Sequence, residues 1–151
     1  ADPAAIASTV RWLRLQRPKG CRGIAWFRMP IATDQLNWAW PTVRAVMQGR
    51  TPRHSYAAEI RHPEPGLNEV WIRNSGEQNP LPGQRIRLTL DWNGNRIRAY
   101  DVLNGYREDE TASALIGLAP FLGRSILAAW YRIDPAPDQP PPKAGKVEIL
   151  P

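Results

Sequence analysis

The chain has 151 residues, 42% of them hydrophobic and 23% charged, and its net charge is +6. Seven Trp, four Tyr and two Phe exclude a solvated coil, and no apolar run reaches the roughly 20 residues of a membrane-spanning helix. Cys21 is the single cysteine, which excludes a disulfide framework.

Asp2-Pro3 reads as the cap and first turn of a helix over residues 4–17, with Ile6, Val10, Leu13 and Trp12 at three- and four-residue spacings. Pro18 and Gly20 end it. The apolar middle of Cys21–Pro30 predicts a strand at 23–28 covered on both faces. Thr33-Asp34 then caps a second helical stretch carrying Leu36, Trp38, Trp40, Val43, Val46 and Met47, and Pro41 places the opening of its main helix. Gln48-Gly49-Arg50 stops it. One parallel strand makes no sheet, so this helix–strand–helix piece is expected to need neighbours from outside. The start at Ala1-Asp2-Pro3, without Met, fits a processed chain or a piece of a longer one.

Charge divides along the chain. Residues 1–62 hold nine Arg and one Lys against Asp2, Asp34 and Glu59, a net +7, while 63–151 sum to −1. The change falls at His62-Pro63-Glu64-Pro65-Gly66 and sets the expected domains, 1–62 and 63–151. Arg outnumbers Lys seventeen to three, which suits carboxylate or phosphate binding. GC-rich codon usage produces the same bias, and no groove-reading motif accompanies it, so nucleic acid is not the expected partner.

From residue 67 the pattern is of strands, at 69–73, 85–90, 96–102, 125–133 and 146–150. Asn93-Gly94 reads as a hairpin turn joining the second to the third. Five prolines between Asp134 and Pro142 predict an exposed extended loop. These strands point to a small antiparallel β-sandwich.

The stretch from Cys21 to Pro30, followed by Asp34 and the Trp-rich helix, resembles the closing strand and helix of a (β/α)8 barrel. More narrowly it resembles the C-terminal part of a bacterial family of uncharacterised function, in which a glycoside-hydrolase-like barrel precedes a β-rich tail. Asn74-Ser75-Gly76 and Leu103-Asn104-Gly105-Tyr106 are similar to that tail. The resemblance implies a mixed α+β chain: the closing helix–strand–helix segment of a (β/α)8-type barrel, then the sandwich. It further implies a carbohydrate ligand, a periplasmic or envelope location with the cytoplasm still open, and an upstream fragment or companion chain that completes the barrel.

On that reading Arg28, at the end of the predicted strand, binds a substrate carboxylate or hydroxyl, and Trp26 stacks on a sugar ring or else packs as core. Asp34 is a functional carboxylate or a helix cap, and Trp38 and Trp40 are ligand platforms or core. Trp92 is a surface platform at the turn or folds back on the sheet, and Trp71 and Tyr106 are further exposed-aromatic candidates. No catalytic residue is assigned, because the first 62 residues offer just Asp2, Asp34 and Glu59, and Glu108-Asp109-Glu110 reads as a solvated run. His54 and His62 lack ligands at metal spacing, no serine sits in a nucleophile elbow, and no phosphate loop is present, so neither metal nor cofactor is expected. Cys21 beside Arg22 reads as an inert buried thiol or one of lowered pKa. The competing function is a non-catalytic binding or assembly module that docks on a partner chain.

Overall fold

A computed structural model describes residues 2–26, 29–31, 37–109, 113–134 and 138–151. They divide into two compact units, Ala1–Ser55 with Gly76–Asn79, and Tyr56–Ser75 with Pro80–Pro151.

The first unit is helical. Helix α1, Pro3–Leu15, starts at Asp2, whose carboxylate accepts from the Ala4 amide at 2.9 Å. Helix α2, Trp40–Met47, carries Pro41 in its first turn, where a missing N–H breaks no helical bond. Ala7 and Val10 of α1 are buried, as are Thr42, Val43, Ala45 and Val46 of α2, and the two helices pack together. The approach is close after α2, where a β-carbon on Gly49 would stand 3.3 Å from the Arg11 Cα. Arg11 donates to the Gly49 carbonyl at 3.1 Å, and Arg14 to those of Met47 and Gln48 at 2.8 and 3.4 Å. Cations from α1 thus satisfy the orphan carbonyls at the negative end of α2. Gly76–Asn79 returns to this unit: the Glu77 amide donates to the Arg53 carbonyl at 2.8 Å, and Arg50 grips the Glu77 carboxylate with two N–H groups at 3.1 and 2.7 Å.

Residues 21–26 and 29–31 contain no strand, so the strand expected at 23–28 does not form over its described part. A buried strand needs ladder partners for its amides and carbonyls, and none lies in this unit among the described residues. The apolar run reported a tendency to bury, yet Ile24 stays 38% exposed. Arg17 shapes the segment instead, donating to the Cys21 carbonyl at 2.7 Å and to that of Arg22. The mixed fold with a closing (β/α)8 segment is therefore corrected: the described residues form two four-stranded antiparallel sheets plus two short helices. The resemblance to the barrel family falls with it, and so does the partner expected to complete a barrel.

The second unit is a β-sandwich. Its strands are β1 (Tyr56–Glu64), β2 (Leu67–Asn74), β3 (Arg85–Asp91), β4 (Arg96–Val102), β5 (Arg107–Glu108), β6 (Ala114–Leu118), β7 (Ser125–Asp134) and β8 (Lys143–Ile149). One sheet runs β1-β2-β7-β4 and the other β5-β6-β3-β8, with every ladder antiparallel. Period-two alternation sends Val70 and Ile72 of β2, and Ile86, Leu88 and Leu90 of β3, into the core with Leu115, Ala129 and Tyr131. Each fully buried Ile or Leu contributes about 1.5–3 kcal/mol. Two asparagines share that interior. Asn74 donates to the Pro120 carbonyl at 3.1 Å, and Asn68 to the Gly66 carbonyl at 3.2 Å.

The Asn93-Gly94 turn is sharp, with φ of 50° and 76°, but it makes no hairpin. β3 pairs with β6 and β8, while β4 pairs with β7 in the opposite sheet. Asn104-Gly105, with φ of 53° and 76°, carries the chain back across. β1, β5 and β6 are strands that the sequence pattern did not reveal. β1 alternates half-buried Tyr56, Ala58 and Ile60 with exposed Ala57, Glu59 and Arg61, a weak contrast because two of the six are alanine. It is an edge strand, where Pro63 is tolerated.

Candidate docking site

The helical unit holds a cleft of about 600 Å³, lined from α1 by Leu13 and Arg14, from the following segment by Arg17, Cys21, Ile24 and Trp26, and from α2 by Trp40, Arg44 and Met47. Its wall combines two indoles, aliphatic Leu13, Ile24 and Met47, and three guanidinium groups. No carboxylate lies among its described lining residues.

The positions follow from local structure. Arg14 is fixed by its bonds to the end of α2, and Arg17 by its bonds to the Cys21 and Arg22 carbonyls. A guanidinium carries five donors, so both keep charge and hydrogen-bonding capacity beyond those contacts. Arg44 projects from α2 as an exposed side chain. Trp40 is 49% exposed at the start of α2, and Trp26 is half-buried.

The apolar surface extends well beyond the cleft. Trp12, Leu15, Met29 and Ile31 are exposed as well, Leu15 to 79%. Single exposed apolar residues are ordinary, but six of the eleven large apolar side chains exposed among the described residues belong to this smaller unit. Charge concentrates there too. Ala1–Ser55 with Gly76–Asn79 contain nine basic and three acidic side chains, a net +6, whereas the sandwich holds eleven of each and sums to zero.

Of the five residues proposed from sequence, the structure describes Trp26, Trp38 and Trp92. Trp26 lines the cleft, and Trp38 is half-buried outside its lining. Arg28 and Asp34 lie outside the described residues. Trp92 belongs to the sandwich, where its ring is half-buried, packs on the core and lies 4.3 Å from the Tyr131 ring. Trp71 is roofed by Arg61, whose guanidinium carbon is 4.6 Å from the ring centroid, and its indole N–H donates to Glu69 at 2.8 Å. Tyr106 is buried.

The sugar-binding reading of a barrel cleft is corrected here: it placed Trp26 and Arg28 at the mouth of a barrel strand, and no barrel architecture is present. The sequence reading missed Arg14, Arg17, Arg44 and Met47. Their signal was available in part, since Arg17 falls four residues after Leu13 and three after Arg14, just past the end of α1. The meeting of that side with Trp40 and Arg44 depends on how α1 packs on α2, which periodicity does not encode.

Among the described residues no group of three or more His, Cys, Asp or Glu side chains is placed to hold a metal ion, and no helix is long and apolar enough to cross a membrane. Comparison with protein-family models, with curated proteins and with solved structures finds no match to this chain.

Proposed function

We propose that this chain is a non-catalytic binding module that docks on a partner polypeptide through its helical unit. The observation that carries the reading is the density of exposed apolar side chains there: Trp12, Leu15, Ile24, Met29, Ile31 and Trp40. A surface of this kind gains free energy when a partner removes it from water, at about 25 cal/mol per Å² before the cost of association. The sandwich supports the same reading as a separate body with its own apolar core of Val70, Ile72, Ile86, Leu88, Leu115 and Tyr131, and its exposed large apolar side chains are fewer for its greater length.

The test places a photo-crosslinking residue at Leu15 and, separately, at Trp40 in the full chain expressed in cells. The expected result is one discrete adduct shared by both positions and lost when Trp40→Asp is added, with the sandwich still folded. Adducts absent at both positions, or unchanged by Trp40→Asp, overturn the proposal.

A further inference from the structure

Resting on that docking reading, we infer that the partner segment is an acidic amphipathic peptide, whose apolar side chains enter the cleft of the helical unit while its carboxylates meet Arg14, Arg17 and Arg44.

The argument is charge complementarity laid over an apolar floor. Three arginines and no acid line the cleft among the described residues, so a ligand's carboxylates would meet three cations there. Two of the three guanidiniums are held in place by backbone carbonyls before any ligand arrives. Less side-chain freedom is then lost on binding. Planar guanidinium forks also match carboxylates in a two-point geometry that lysine does not offer. The floor between them is apolar, formed by Leu13, Ile24 and Met47 with Trp26 and Trp40. Trp, Met and Arg are the residue types that interface centres concentrate, and an apolar groove between helices is the usual seat of an amphipathic segment.

Other occupants fit less well. A second copy of the chain would bring a unit of net +6 against another of net +6. Single-stranded nucleic acid needs a basic track that follows successive phosphates and flat rings on which successive bases stack. Here the three cations line one open cleft rather than an extended track, and its two indoles sit among Leu13, Ile24 and Met47.

The test uses the full chain and three fluorescent probes: an amphipathic peptide of Glu with Leu and Phe at helical spacing, the same peptide with Lys in place of Glu, and a single-stranded oligonucleotide. Anisotropy reports binding, and the rate of Cys21 alkylation reports occupancy, since Cys21 lines the cleft. The Glu peptide is expected to bind, to slow Cys21 alkylation, and to lose about tenfold in affinity with Arg44→Glu, a substitution at an exposed rim charge. Trp40→Ala is expected to weaken it as well, with the thermal unfolding profile unchanged in both variants. Equal or tighter binding of the Lys peptide overturns the acidic assignment while docking itself stands. Tighter binding of the oligonucleotide at the same cleft replaces the partner class. If no probe binds and Cys21 alkylates at one rate throughout, the inference fails, and the crosslinking at Leu15 and Trp40 decides separately whether docking fails with it.

Discussion

The Tyr106 ring lies so close over Gly117 that a β-carbon at residue 117 would stand 2.3 Å from Tyr106 Cδ1. Gly117 sits in β6 opposite Ile86 of β3, facing the core, and the ring fills the space that a side chain would otherwise take. The phenol is anchored beyond it, donating to the Leu118 carbonyl at 2.7 Å. A ring held at both face and tip has little room to yield. Gly117→Ala is therefore expected to destabilise the sandwich by about 1–3 kcal/mol through overpacking, read as a lower urea midpoint at unchanged slope. An unchanged midpoint would show that the ring moves freely.

Tyr106 and Tyr131 govern the alkaline limit. Burial pushes both phenols well above their ordinary range, and Glu108, which accepts from the Tyr131 hydroxyl at 3.2 Å, adds to the shift at Tyr131. Both stay protonated in the folded chain while their unfolded counterparts ionise near pH 10. The unfolded state thus releases protons first, and stability falls as pH rises above about 10, by up to roughly 1.4 kcal/mol per pH unit for each tyrosine. Below that pH their contribution is fully present. Urea midpoints measured from neutral pH into this range are expected to drop steeply, and Tyr131→Phe to make the drop shallower.

The acid limit of the helical unit has a different origin. Arg50 holds the Glu77 carboxylate below its usual range, chiefly through their two-point hydrogen bond, with the Arg53 backbone amide region contributing less. A depressed carboxyl stabilises the fold above its unfolded value near 4.5 and loses that contribution as pH falls through its folded value. The pair is partly exposed, so its effect is small and weakens with salt. Proteolysis within residues 50–55 is expected to quicken below about pH 4, with Glu77→Gln showing the faster cleavage already at neutral pH.

Substitutions on the helical unit separate packing from docking. Val46 is fully buried in α2, whereas Trp12 and Leu15 of α1 are exposed. Val46→Ala is expected to cost on the order of 2 kcal/mol. Trp12→Ser and Leu15→Ser are expected to stay within about 0.5 kcal/mol. Thermal melts monitored on the full chain check all three, and a large loss at Trp12 or Leu15 would assign those side chains to the unit's own packing.

What the residues determined by themselves was local. Asp2-Pro3 and Pro41 set the helix starts, the alternation of Ile86, Leu88 and Leu90 set one strand and its inward face, and Asn93-Gly94 set a tight turn, because caps, fixed φ angles and positive φ act within a few residues. Which elements meet was decided by tertiary structure. The turn at Asn93-Gly94 fits a hairpin equally well, yet β3 and β4 join opposite sheets because each finds its ladder with strands far along the chain. The apolar run before Trp26 carries the hydropathy of a buried strand, but no neighbouring strand is present among the described residues to complete its hydrogen bonds. The cleft follows the same rule: Arg14 and Arg17 face Trp40 and Arg44 because Gly49 lets α1 approach the end of α2. Burial preference belongs to single residues, whereas hydrogen-bond partners and clefts belong to pairs of distant segments.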